Sequence, residues 1–243
     1  ALSRDDPAER MAQVFALFYG QGANGKSVWV DVHAHILGDY SRVCGIETFI
    51  DQGRYRKGSD ATPDLAALAG RRMVRASEPE EGTKFSDGLI KALTGTEPVP
   101  VRELNKPPFE MNVTFKCTVS ANVKPKIGTD HGIQRRVRLV PWDVIIPDEE
   151  QDRLLLTKLK AEADGILARM VQGAIAYLGN GLPMPDAIEA ATREYREEND
   201  LLGRFLADCV AEAKGEEVGA TPLHNLFVTW QNFVGEVGQS GKP

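Results

Sequence analysis

Eight residues near the start of the chain, GQGANGKS from Gly20 to Ser27, put three glycines, a lysine and a hydroxyl within reach of one polyanion. The spacing Gly20-x-x-x-x-Gly25-Lys26-Ser27 is that of a phosphate-binding loop. Without Cβ atoms, successive backbone N–H groups can turn toward phosphate oxygens, and a following helix would add partial positive charge at its N-terminus. In such a loop Lys26 reaches the terminal phosphates of ATP and the Ser27 hydroxyl ligates Mg²⁺. Gly20, Gly22, Ala23, Asn24, Gly25, Lys26, Ser27 and Val28 are therefore the expected nucleotide-holding residues, with ATP and Mg²⁺ as the groups held.

Hydrolysis asks for more than a cradle. A carboxylate must hold metal or polarise water, a polar group must sense the terminal phosphate, and an arginine often neutralises developing charge. Glu78 follows the apolar stretch RMVRAS, with Glu80 and Glu81 close behind in EPEEG. Asn122 follows VTFKCTVSA, where a polar side chain at a strand end can touch phosphate or water. Arg135 and Arg136 follow TDHGIQ as candidate arginine fingers. Which acid serves as base, and which arginine as finger, the pattern leaves open.

The surrounding elements must bring these groups together. VFALFY (14–19) reads as a strand buried on both faces, and GKSVWVDVHAHIL (25–37) as the helix after the loop. Thr62 and Pro63 open a short helix that Gly70 closes. Residues 72–77 read as a strand, KFSDGLIKALTG as a helix that Gly95 stops in a left-handed conformation, and 113–120 and 136–142 as further strands. VPVRELNKPPFE (99–110) reads as an edge hairpin turning at Asn105-Lys106-Pro107. From Gln151 onward the pattern is helical over 151–179, 185–199 and 201–214, and a last helix begins in TPLHNLFVTWQNF. Strands alternating with helices, then helices alone, predict an α/β core with a central, mostly parallel sheet and a helical C-terminal part.

Composition bounds the rest. With 42% hydrophobic and 26% charged residues the chain is that of an ordinary globular protein. No apolar run is long enough to cross a bilayer, and no signal peptide opens the chain. Cys44, Cys117 and Cys209 have no metal-like spacing, which fits reduced thiols in the cytoplasm. The net charge is −6, yet residues 99–138 carry eight Lys/Arg against three acids while residues 148–200 carry six basic and twelve acidic side chains. That asymmetry points to one localised anion-binding face on an otherwise acidic protein. His33 and His35, two apart on a helix, fall on different faces, and Trp29 and Trp142 read as packing residues.

The ordered set GQGANGKS, LAGRRMVRASEPEEG, LIKALTGTEPVPVREL, FKCTVSANVKP, DHGIQRRVRLVPWD and AATREYREENDLLGRFLADC resembles the helicase part of phage and plasmid primase–helicases, superfamily 3 helicases on an AAA+ P-loop NTPase core. The resemblance runs from about Phe15 to Cys209. It implies an ATP-driven DNA helicase acting as a hexameric ring on single-stranded or forked DNA, with sites between subunits and a linked or separate primase, in the cytoplasm of a bacterial host. By the same resemblance Gly20 to Ser27 is the Walker A loop, Glu78 the Walker B acid that helps hold Mg²⁺ with Ser27, and Asn122 the motif C sensor. Arg135 or Arg136 is then the finger, and Arg102, Asn105 and Lys106 form a DNA-gripping hairpin. Proline at position 79 departs from the paired acids of many members, so the base stays open among Glu78, Glu80 and Glu81. The implied domains are a core over 1–147, a helical region over 148–214, and the start of a winged-helix-like segment over 215–243. An ATP-gated assembly module at an origin, binding nucleotide but unwinding little, is the alternative that the phosphate loop alone does not separate from a motor.

Overall fold

A computed structural model describes residues 12–53, 60–211 and 213–235. The first residues of the expected core and the glycine-rich end of the last segment lie outside the described residues. Five strands form one sheet: β1 (Phe15–Tyr19), β2 (Ser41–Val43), β3 (Met73–Ser77), β6 (Lys116–Ala121) and β7 (Val137–Pro141). Their order is β2-β3-β6-β1-β7 and every pairing is parallel. The expected α/β core is therefore present. Its interior strand β1, between β6 and β7, is apolar along its length, as a strand covered on both faces should be. Phe15 meets Phe49 and Phe85 edge to face at centroid separations of 5.4 and 5.3 Å. Phe18 packs on the opposite face with Met73 and Val30, the latter from helix α1 (Lys26–Leu37). Burial of one such ring stabilises the fold by about 1.5–3 kcal/mol.

The order of the sheet decides where chemistry can occur. β1 leads into α1 on one side of the chain's path, while its neighbours β6 and β7 arrive much later. The ends of β3, β6 and β1 thus open side by side at the carboxyl edge, with Ser77 opposite Ser120 and Tyr19 opposite Ala121. A crevice at such a switch point is where open α/β sheets take ligands.

Local readings mostly survive, with instructive shifts. The helix expected from Thr62 to Gly70 is only four residues, α2 (Pro63–Ala66), followed by turns to Gly70 at φ 73°. Thr62 holds the expected N-cap position, but its hydroxyl makes no bond to the helix and instead accepts from Arg102 N at 3.0 Å, tethering the hairpin β4 (Val99–Val101) and β5 (Phe109–Met111). Gly95, expected in the left-handed region, is not there; α3 (Asp87–Leu93) ends at Thr94, whose hydroxyl donates to the Ile90 carbonyl at 2.6 Å. β6 starts at Lys116 instead of Val113. β2 is an edge strand of three residues, too short to leave a periodic signal. α4 (His131–Gln134) is a single turn before β7.

The described chain divides into two compact units, the first ending at Arg196 and the second starting at Glu197. In the first, the long helical stretch after β7 breaks at Glu162 into α5 (Leu155–Ala161) and α6 (Ala163–Asn180). The part of α7 (Asp186–Asn199) up to Arg196 then packs on the sheet edge, where Leu139 N donates to Thr192 Oγ1 at 3.0 Å and the Tyr195 hydroxyl donates to the Pro125 carbonyl. The second unit holds α8 (Leu201–Cys209) and α9 (Ala220–Phe233), joined by Phe205 against Phe227 and Trp230 at 5.1 and 5.8 Å. Among the described residues no helix is long and apolar enough to cross a membrane.

Candidate functional site

The loop between β1 and α1 has the backbone its glycines permit. Gly22 and Gly25 stand at φ 103° and 82°, and Ala23 between them at 47°. Gly20 is required for another reason: a Cβ there would lie 2.2 Å from the Trp142 carbonyl oxygen and 2.6 Å from Asn24 Nδ2. Asn24 braces the loop from within, its Nδ2 donating to the Trp142 carbonyl at 3.0 Å and its Oδ1 accepting from Lys26 N at 3.3 Å. A second brace comes from outside, Ile146 N to the Ala23 carbonyl at 2.8 Å.

Lys26 is 5% exposed, and its ammonium donates to the Gly20 carbonyl and, at 3.3 Å, to Asn122 Oδ1. Burial holds its pKa below the ordinary lysine value. The charge thus sits at the mouth of its own loop on two neutral acceptors, either of which a phosphate oxygen would replace with a stronger, charge-assisted partner.

One cavity of about 450 Å³ gathers the expected groups. Its wall includes Gly22 to Val28 from the loop, Ser77 and Glu78 from the end of β3, and Ser120 and Asn122 from the end of β6. Its volume falls within the range of small-ligand sites. Glu78 stands at φ 61°, a conformation non-glycine residues rarely adopt, while its N–H donates to the Ser120 carbonyl at 2.9 Å. Glu80 and Glu81 are not part of the cavity wall, so of the three acids the structure brings only Glu78 to the loop. Ser27 and Glu78 share the cavity and supply the hard oxygen donors Mg²⁺ prefers.

The two arginines part company. Arg136 is 8% exposed and donates to the Gly132 carbonyl of its own turn at 2.8 Å, whereas Arg135 is exposed and touches Gln13 Oε1 at 3.2 Å. Neither lines the cavity of its own chain. The hairpin residues Arg102, Asn105 and Lys106 also lie outside it. Asn105 makes the turn at φ 57°, and exposed Lys106 pairs with Glu103. Sequence reasoning missed the far wall, formed by Ile146, Glu150, Gln151, Asp152 and Leu155 from the segment after β7. That segment carries no motif, and only its backbone bond to Ala23 reveals that it straps the loop.

Fold and cavity together define an α/β protein whose phosphate-binding type of loop opens at the carboxyl edge of a five-stranded parallel sheet. A family of unknown function, DUF5906, matches residues 18–136, the stretch from β1 to the paired arginines. Two viral proteins that bear the name "putative helicase" are similar over nearly the whole chain. The one from Acanthamoeba polyphaga mimivirus is 26% identical over 91% of this chain and 25% of its own length. The one from Frog virus 3 (isolate Goorha) is 24% identical over 95% of this chain and 26% of its own. The chain is thus related to helicase-named proteins and spans about a quarter of their length. The apo C-terminal region of NrS-1 shares the fold, with a TM-score of 0.53 and 15% identity over 82% of this chain and 47% of that one.

Proposed function

We propose that this chain is the ATP-hydrolysing motor of a DNA helicase, working as a ring in which each nucleotide lies between neighbouring subunits. The observation that carries the reading is the single cavity walled by the Lys26 loop, Glu78 and Asn122, the set that phosphoryl transfer to water requires. In it Lys26 and the loop amides hold the triphosphate. Ser27 and Glu78 hold Mg²⁺, which would draw charge from the terminal phosphate. Glu78 orients the attacking water and Asn122 senses the terminal phosphate. Absence of both arginines from the cavity supports delivery of Arg135 from an adjacent subunit, since the buried Arg136 is committed to its own turn. The hairpin's Arg102, Asn105 and Lys106 would contact strand phosphates without reading sequence, so binding weakens with salt.

The names of the viral relatives favour a motor over a static assembly module. The test is ATP turnover with and without single-stranded DNA, for the parent and for Lys26→Ala. DNA-stimulated turnover that Lys26→Ala abolishes is expected. Turnover unchanged by that substitution rejects the site, and tight ATP binding with negligible turnover in the assembled parent favours the assembly module.

A further inference from the structure

A second cavity, of about 740 Å³, lies on the α1 face of the sheet, away from the phosphate loop. It is lined by the last turns of α1, the edge strand β2, Arg75 of β3, and Leu156 and Lys160 of α5. Adjacent residues of α5 divide the two sites, Leu155 walling the first and Leu156 the second.

Three cations line this cavity, Arg42, Arg75 and Lys160, against one carboxylate, Asp31. Asp31 is already engaged by Arg75 Nη1. Arg42 and Lys160 have no ion-pair partner among the described residues, and two positive charges are left in excess. Two polar atoms of lining residues, Ser41 Oγ and Arg75 Nε, are buried without a hydrogen-bond partner. Buried polar atoms are rarely left so, and each calls for a water, an ion or a ligand. Water would satisfy the hydroxyl and the N–H; a phosphate would satisfy both and also meet the exposed Arg42 and Lys160. The C-terminus of α1 opposes an anion here with roughly half a negative charge, which the excess of two full cations outweighs. A guanidinium fork beside a lysine and a hydroxyl is the chemistry that holds phosphate.

We propose that this cavity binds a phosphate group, carried either by a nucleic-acid strand or by a free nucleotide, at a site separate from the Lys26 loop. Pyrophosphate is the probe, and the Lys26→Ala protein silences the first site. Thermal unfolding of that protein should shift upward with millimolar pyrophosphate. Adding Arg42→Ser and Lys160→Ser, both at exposed positions, should raise the half-saturating concentration roughly tenfold or more. Arg75→Lys, which keeps the charge facing Asp31 but removes the Nε donor, should weaken binding as well. Competition by a thymidine oligonucleotide at strand concentrations below those of pyrophosphate assigns the phosphate to nucleic acid. Competition by ATP but not by the oligonucleotide assigns it to nucleotide. No pyrophosphate shift in Lys26→Ala, or a shift that the Arg42 and Lys160 replacements leave unchanged, overturns the proposal.

Discussion

The Lys26 ammonium donates to the Asn122 side chain at 3.3 Å, linking the loop after β1 to the end of β6 across 96 residues of sequence. Asn122→Ala should leave ATP affinity nearly unchanged and slow turnover about tenfold to a thousandfold, the range for losing one oriented dipole at a reacting phosphate. Asn122→Asp should act differently. A carboxylate there holds Lys26 more firmly and repels phosphate, so ATP affinity itself should fall. Equilibrium binding beside steady-state turnover separates the two effects, and equal loss of affinity in both variants would remove Asn122 from the sensing role.

Gly20 and Gly22 should fail for different reasons. Gly20→Ala drives a methyl against the Trp142 carbonyl and Asn24, at a cost of about 1–3 kcal/mol and with displacement of the loop. Gly22→Ala meets no atom within 4 Å, but the residue stands at φ 103°, which costs roughly 1–2 kcal/mol in backbone strain alone. Denaturant unfolding measures both. ATP affinity should drop further in Gly20→Ala, because the brace through Asn24 is lost with the close approach.

The paired arginines predict a split between chemistry and stability. Arg135→Ala, at an exposed position, should keep its unfolding midpoint and lose turnover in the assembled protein. Arg136→Ala should lower the midpoint, since it removes a buried guanidinium bonded to Gly132. Mixing Arg135→Ala with Lys26→Ala subunits should restore part of the turnover, each supplying what the other lacks. Failure at every mixing ratio would place the whole site within one subunit.

Asp130 anchors the turn that carries these arginines, accepting from Gly132 N at 2.7 Å and from Lys91. The Lys91 bond, then that of Gly132, holds its pKa below the ordinary 3.8. Its folded pKa lies below its unfolded one, so its contribution is complete above about pH 4 and is lost as pH falls through the depressed value. Relative to Asp130→Asn, the parent should therefore be more stable at pH 6, and the gap should narrow as pH falls through the depressed pKa. A gap that widened on acidification would contradict the assignment.

Much of this arrangement was legible in the sequence because its signals are local. Three glycines before Lys26, an apolar run before them, and an acid or amide just past a strand each announce themselves within a few residues. The sheet order, which makes Gly20, Glu78 and Asn122 neighbours, is not local, and the resemblance implied only a mostly parallel sheet on which they could meet. What escaped was carried by long-range contacts without a pattern. Three residues of β2 are too few to show a period. Thr62 takes the N-cap position its sequence announces, but that its hydroxyl serves the Arg102 backbone instead is a long-range fact. The strap at Ile146 to Leu155 has ordinary composition, and the burial that separates Arg136 from Arg135 depends on packing between α4 and β7.

Glu78 meets the cavity beside the Lys26 loop while standing in the left-handed region at φ 61°. A glycine would relax there and an asparagine would settle more easily, so the backbone and the reaction want different residues at one position. Holding the acid against that preference forfeits on the order of 1–3 kcal/mol. A glycine or asparagine in place of Glu78 should therefore give a sturdier protein whose proposed ATP turnover is lost.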